Sequence, residues 1–529
     1  MLGYPILLNY FYPASKTEQA VHETADGQPP EAGKGVFFSA ADAAAAPETE
    51  PEKSRFENEV YEAEFSTLGG TLSRLLYKGD PGRQEVTRNV LFAGAPLAPG
   101  IFSIRITGDA LDLSRVNFKP LAEQNAREGA AFFFESPGQY RLTKKFIFSR
   151  SETLIGLSLI LENLSGQTRD FPLEIETGLH ADTLVHQPSP HEFSAVAWNG
   201  KVLAAEHKHV LKKGFQASGD ISWAGVIKKY FAMLVKPDWK IAGADARAEA
   251  SVLWSRVLME PLRVEPGQSV QKDIFVYAGP QHYETLAGYQ TQFENILSRG
   301  FFGPLKILFL KALKASHQFT HNFGWDIILL TVLLKILFAP LTHMSYKSME
   351  KMKAIQPRMK ALQERFKNDP ARMNKEMMEL YKRNRVNPMG GCLPMLMQIP
   401  IFIAFYQVLN EAIELKGAPF IGWVVDLSEP DRLFHLPFSL PILGSAFNLL
   451  PLLMLASMVV QQKMTPPSGS TPEQQKIFAF MPLIFGFVFY QMPSGLVLYW
   501  FVNNVLSILQ QGLVQRIKIT LHHEDREAA

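Results

Sequence analysis

GWDIILLTVLLKILFAPLTH, residues 324–343, settles what kind of protein this is. Twenty residues at about 1.5 Å each reach about 30 Å, the thickness of a bilayer's hydrocarbon core, so the run predicts a transmembrane helix. Near its middle stands Lys335. Insertion scales put an ammonium at a helix centre at roughly 2.5–3.5 kcal/mol, so a wet or negatively charged surface is expected to face it. The plainer alternatives are that the side chain snorkels to the interface or pairs with a structural carboxylate. Thr331, four residues earlier, projects from the same helix face.

Across all 529 residues the hydrophobic share is 47% and the charged share 20%. The mean hydropathy of -0.02 would suit a soluble protein. That average hides two halves, with apolar runs gathered after residue 320. Further spans are predicted at about 391–410, 441–460, 477–492 and 495–513. The 477–492 run covers only about 24 Å, which points to local bilayer thinning. Between the first and second spans, Met352, Ile355, Met359, Leu362 and Phe366 follow helical spacing, as do Met373, Met377 and Leu380 beyond Asn368-Asp369-Pro370. Such spacing predicts an antiparallel coiled-coil hairpin over 344–386.

Residues 56–283 alternate with period two and are punctuated by Gly, Asn and Pro, which predicts an all-β sandwich. Residues 284–320 read as helix. FGPLKILFLKALKASH, with Lys306, Lys311 and Lys314 interrupting an apolar face, suits a membrane interface or, alternatively, packing in a soluble unit. Residues 14–55, rich in Ala, Pro and Glu, read as a linker. Residues 1–13 are apolar but too short to span, and read as the remnant of an N-terminal membrane anchor whose upstream part is missing. The tail is 516–529. Residues 346–385 carry twelve Lys or Arg against five acids, while 411–440 carry two against five. The positive-inside rule then places the hairpin and the C-terminus in the cytoplasm and the β domain outside.

Polar residues recur on the spans: Tyr499, Asn503, Ser507 and Gln511 at four-residue steps, and Gln398 on the second. Together they suggest a water-containing intramembrane cavity, although each taken singly, Gln398 above all, reads more readily as a helix-packing contact. The hairpin's basic residues Lys347, Lys351, Lys353, Arg358, Lys360 and Arg365 form either a solvated face touching anionic lipid or a docking surface for acidic or nascent partners. Catalytic signatures are thin. His191-Glu192 lacks the second helical histidine of a zinc protease, His522-His523 lies in a polar tail, no phosphate loop is present, and the single Cys392 reads as a structural thiol. No catalytic residue, metal site, cofactor or nucleic-acid substrate is expected.

Three blocks, NPMGGCLPMLMQIPIFIAFYQVL (387–409), QQKIFAFMPLIFGFVF (474–489) and MPSGLVLYWFVNNVLSILQQ (492–511), surround the charged hairpin in an order that resembles the YidC membrane-protein insertases of Gram-negative bacteria, relatives of mitochondrial and chloroplast insertases. Weaker matches are STLGG (66–70), SWAGVIKKYF (222–231) and YAGP (277–280). The resemblance implies a five-helix insertase core over 321–515 enclosing a hydrophilic groove, and a periplasmic β-supersandwich. It places Lys335, Thr331, Gln398, Ile399, Phe402, Tyr499, Trp500 and Asn503 on the groove and substrate path. Lysine stands where many members carry arginine, keeping the charge but not the planar fork. The implied activity is insertion of newly made proteins into the bacterial inner membrane, alone or with the Sec translocon. Nascent membrane proteins, ribosome or targeting factors and lipids are the implied partners. Rival readings are a secondary transporter or channel, and a membrane-anchored carbohydrate-active enzyme using the β domain.

Overall fold

The computed structural model describes residues 50–527 apart from 80–88, 96–97, 110, 122–128, 181–192, 250–251, 368, 385–392, 441–443 and 465–471. The expected anchor remnant, most of the linker, His191-Glu192 and Cys392 lie outside the described residues. The chain forms two compact units, one of Ala45–Ile307 with Glu411–Glu414 and the other of Leu308–Asn410 with Leu415–Ala529.

The first unit is built on antiparallel sheets. A nine-stranded sheet runs in the order Val202–Glu206, Phe193–Trp198, Trp223–Lys228, Phe231–Pro237, Ser269–Pro280, Leu154–Asn163, Tyr140–Phe148, Gly129–Ser136 and Lys119–Pro120. A five-stranded sheet of Phe215–Ala217, Ile241–Ala248, Val252–Met259, Leu173–His180 and Ser103–Ile106 packs against it. A third sheet, of four strands, spans Lys53–Glu57 to Asn89–Ala93. Side chains from all three meet in one core, including Phe65, Phe146, Leu157, Ile175, Val226 and Val257. Alternation along each strand selects which residues enter it.

That same alternation carries a lysine inside. Along Tyr140–Phe148 the residues of even number face the core, so Lys144 sits in line with Leu142 and Phe146 while Lys145 faces outward. Lys144 is 0% exposed. Its Nζ donates to the carbonyls of Gly69 at 2.9 Å and Phe102 at 2.6 Å, and it lies 5.7 and 5.6 Å from the ring centres of Phe118 and Phe146. Gly69 and Phe102 both have positive φ, 65° and 64°, in turns whose carbonyls the lysine ties together. Burial alone pushes its pKa down from 10.5 to about 7.

A second buried lysine corrects the sequence reading. Lys306, which interrupts the apolar face of the 302–317 segment, does not face a membrane interface: it is buried, with Nζ 2.5 Å from Glu411 Oε2, and Arg299 Nη2 is 3.5 Å from the same oxygen.

The second unit is helical. Helix α1, Gly303–Thr320, leads to α2, Phe323–Arg365, which continues unbroken through Pro340 and Pro357 from the quoted apolar run into the polar segment. Asn322 caps α2, its Oδ1 accepting from Gly324 N and Trp325 N at 2.9 and 3.3 Å. Helix α3, Pro370–Arg383, starts with Asp369 as cap and Pro370 at its first position. It packs on α2 through Ile355, Met359, Met377 and Tyr381, flanked by Met352, Leu362, Met373 and Leu380. Helices α4, Leu393–Glu411, α5, Leu449–Met464, α6, Pro472–Phe489, and α7, Ser494–Glu527, follow. Among the described residues, α2 is the one helix long and apolar enough by itself to cross a membrane; α5 and Ala479–Phe489 are shorter apolar helices. The expected span at 441–460 is displaced, because α5 begins at Leu449 and Phe434–Leu440 pairs with Gly444–Phe447 as a hairpin.

The lysine at position 144 sets a pH dependence for stability. A group whose folded pKa, about 7, lies below its unfolded value near 10.5 leaves the unfolded state holding more protons between those limits. Stability therefore rises with pH across that window, with a slope of up to about 1.4 kcal/mol per pH unit, and the gain is lost as pH falls through about 7. Thermal unfolding of the full chain in detergent at pH 7, 8.5 and 10 should show this rise, and Lys144→Met should flatten it. An unchanged slope would show that the amine does not stay charged in the unfolded chain alone.

Candidate functional site

The site assembles on α7. Consecutive positions four apart on an α-helix drift by about 40°, so a stripe of four such residues winds about a third of the way round. This winding sends each polar residue of α7 to a different neighbour. Tyr499, 1% exposed, accepts a hydrogen bond from Gln398 of α4 and stacks on Phe405 of the same helix, with ring centres 4.5 Å apart and planes at 16°. Ser507, two turns on, faces α2, where Lys335 Nζ donates to its Oγ at 2.7 Å. Gln511 reaches α5, donating to the Met464 carbonyl at 2.8 Å, and Asn504 donates to Ser457 Oγ of α5 at 3.1 Å.

Lys335 itself is half-buried. The neighbouring Leu329, Leu333, Ile336 and Leu337 are exposed, forming the apolar outer face of α2. Ser507 passes its own proton to the Asn503 carbonyl at 2.8 Å, so its lone pairs are left to the amine. Tyr346 Oη lies 3.4 Å from the Ser507 carbonyl. Among the described residues no carboxylate lies within ion-pair distance of Lys335. Asp326, the one acid in the 324–343 run, turns elsewhere: its fully buried carboxylate accepts from Thr320 Oγ1 at 2.6 Å and meets His317 Nδ1 at 2.9 Å. Two of the ammonium's three N–H groups thus have no partner among the described residues and can serve water or a substrate group.

The other expected residues fall into separate contacts. Thr331 is buried and its hydroxyl returns to the Ile327 carbonyl at 2.6 Å, a bond within its own helix. Phe402 and Trp500 meet edge to face at 5.1 Å, and Phe485 and Phe489 of α6 complete an aromatic cluster around Trp500 at 5.4 and 5.2 Å. Ile399 is half-buried on α4, and Asn503 meets Ser507 through its backbone. The six basic residues in the polar part of α2, Lys347, Lys351, Lys353, Arg358, Lys360 and Arg365, are all exposed. Met352 and Met359 belong to the seam with α3. Among the described residues no cluster of His, Cys, Asp and Glu is placed to hold a metal.

Two family profiles cover this architecture: residues 53–338 match the YidC periplasmic domain, and residues 315–522 match the 60Kd inner membrane protein family. A protein of Geobacter metallireducens named membrane protein insertase YidC is 33% identical over 95% of this chain and 93% of its own length. One of the same name from Syntrophobacter fumaroxidans is 37% identical over 75% of this chain and 72% of its own. The chain belongs to the YidC membrane-insertase family. A crystal structure described as an active YidC insertase with its first transmembrane domain resolved is 16% identical, covers 87% of this chain and 93% of its own, and has a TM-score of 0.38.

In this YidC-family chain, Ser507, Phe485 and Phe489 are the site residues that sequence reasoning left unassigned. Ser507 was legible as part of the polar stripe, but the winding that turns it toward Lys335 is a property of the packed helices. Because a hydrogen bond to a charged donor is worth roughly 1.5–3 kcal/mol, Ser507→Ala should free the amine by about tenfold or more. Labelling of Lys335 by a water-soluble amine reagent, read by mass spectrometry, should quicken by that order in Ser507→Ala and stay near the native rate in Ser507→Thr. Equal rates in all three would show that the serine does not hold the lysine.

Proposed function

We propose that the chain is a membrane-protein insertase of the bacterial inner membrane in which Lys335 lies in a hydrophilic groove of a five-helix core. One observation carries the reading: a lysine at the centre of an apolar helix is held by a serine hydroxyl and, among the described residues, by no carboxylate. Such an amine keeps its charge and spare donors available to an incoming chain. The names of the relatives and the match along most of the chain point the same way. The chain acts by binding and guiding, without a covalent step.

The physical problem of insertion is carrying a polar tail or loop through hydrocarbon. A half-hydrated route shortens the dry distance, and a fixed cation inside it draws acidic residues of the tail. The aromatic cluster of Phe402, Trp500, Phe485 and Phe489 offers an apolar surface for the sliding helix. Release into lipid is favoured by the substrate's own apolar area. Tyr499 and Gln398 lock to one another and hold α4 against α7, which keeps Phe402 in place. The exposed basic residues from Lys347 to Arg365 suit ribosome or targeting factors at the cytoplasmic side. In this reading the hairpin and the C-terminus are cytoplasmic, the β unit is periplasmic, and nascent membrane proteins, the Sec translocon and lipids are the partners.

The test is reconstitution of the purified full chain in liposomes with a small single-span substrate whose translocated tail is acidic or neutral. Lys335→Ala should lower insertion of the acidic-tail substrate by about tenfold, equivalent to ~1.4 kcal/mol, and leave the neutral-tail substrate nearly unchanged. Lys335→Arg should preserve both. Equal insertion of the acidic tail by native chain and Lys335→Ala would refute the electrostatic role, and absence of insertion by the native chain would refute the insertase reading itself.

A further inference from the structure

Between Arg432 and Lys463 the sequence has thirty residues, 433–462, without Asp, Glu, Lys or Arg. The fold divides this uncharged run in two. Its second half lies in α5, whose sixteen described residues rise about 24 Å. Its first half is the hairpin Phe434–Leu440 and Gly444–Phe447, in register Phe434 opposite Phe447 and His435 opposite Ala446.

The hairpin has an anchored base and an uncovered apolar surface. Tyr490 Oη donates to the Ala446 carbonyl at 2.9 Å, and Asn448 Nδ2 donates to the Tyr490 carbonyl at 2.6 Å, which fixes it beside the turn between α6 and α7. Asp431 takes the Leu450 amide at 2.7 Å and so caps α5 from the hairpin's root. The Phe434 and Phe447 rings stack at 4.8 Å. Yet Leu433, Phe434 and Phe438 remain 39%, 48% and 58% exposed. An isolated two-stranded hairpin is marginal in water, and nothing in its own residues offsets three exposed large apolar side chains.

We infer that this hairpin is a lipid-contact surface, lying in the interfacial layer of the outer leaflet with Leu433, Phe434 and Phe438 against phospholipid. Four observations converge on that occupant. The run carries no Asp, Glu, Lys or Arg to resist the layer, two of the hairpin's three exposed large apolar residues are aromatic, and the surface continues into Leu452 and Leu453, exposed residues near the start of α5. The Glu429–Arg432 ion pair at 3.2 Å, exposed, marks the polar border on the other side. Depth follows from hydrogen bonding. A two-stranded ribbon has unpaired edge amides and carbonyls that hydrocarbon cannot satisfy, so the headgroup layer is where aromatic faces and backbone edges are both accommodated. The word outer rests on the orientation proposed above; the contact with lipid does not.

The experiment is nitroxide accessibility of the full chain in phosphatidylethanolamine–phosphatidylglycerol liposomes. Phe438→Cys is made in a Cys392→Ala background and spin-labelled, with Leu211→Cys, at an exposed site of the β unit, as the aqueous reference. Oxygen collisions should exceed those of a water-soluble nickel complex at 438, at a depth near the lipid phosphates, and the order should reverse at 211. Phe434→Cys should repeat the result if the first variant folds poorly. Nickel dominating at both hairpin positions overturns the inference. Low access to both reagents also overturns it, since a second copy or a protein partner would then cover the hairpin. An impermeant thiol reagent added outside reads the leaflet separately: labelling from the inner side alone overturns the orientation while leaving the oxygen result intact.

Discussion

An ammonium half-buried in the middle of an apolar helix is the constraint on which the helical unit depends. It has three donors and, among the described residues, a single side-chain acceptor, Ser507. A serine hydroxyl does not neutralise a charge as a carboxylate would. It orients the amine and leaves the charge in force. A fully apolar site would favour loss of the proton, and a carboxylate partner would quench the field, so the arrangement preserves both charge and availability. Around this point the other polar contacts serve helix packing. Tyr499 goes to Gln398, Asn504 to Ser457 and Gln511 to a backbone carbonyl, whereas Lys335 keeps donors to spare among the described residues.

Much of this was readable from the chain. Period two across 56–283 located the strands, among them Tyr140–Phe148, Trp223–Lys228 and Ser269–Pro280. Three-four spacing located the α2–α3 seam from Met352 to Leu380; the packed seam adds Tyr381 and leaves out Phe366, which closes the first half of the spacing. What escaped was whatever depends on a partner distant in sequence. Lys306 sits on a helix that reads as amphipathic, and nothing local reveals that Glu411, 105 residues away, takes its charge. Lys144 and Lys145 are adjacent and chemically identical, and only strand register decides that one is inside. The hairpin at 434–447 was hidden for a different reason. Hydropathy records that a run lacks charge, and it does not distinguish a helix in the hydrocarbon from an apolar ribbon beside it.

The three lysines show how environment rather than residue type sets the role. Lys306 is buried against a carboxylate, an arrangement that is weak evidence for net stability but strongly resists loss of either partner. Lys144 is buried against carbonyl oxygens and aromatic rings, so its charge is tolerated only through dipoles, and its pKa falls accordingly. Lys335 is half-buried against a hydroxyl. The first closes an ion pair, the second ties two turns to a strand, and the third retains free donors. Only the last has anything left to offer another molecule.

Helix length supplies the remaining step. Helix α5 has sixteen described residues and α6, Pro472–Phe489, has eighteen, so two neighbouring helices that pack on one another rise about 24 and 27 Å, less than a typical hydrocarbon core of about 30 Å. A bilayer meeting such helices must thin locally or be met by other apolar surface. The hairpin before α5 supplies such surface at one end, in a form that belongs in the interface rather than in the core. In the proposed insertion route, a thinner membrane and a retained cation would act on the same barrier: the first shortens the dry distance that a polar tail must cross, and the second draws acidic residues of that tail. Neither effect needs a moving part or a bound energy source, and both follow from where the chain places its charged and apolar residues.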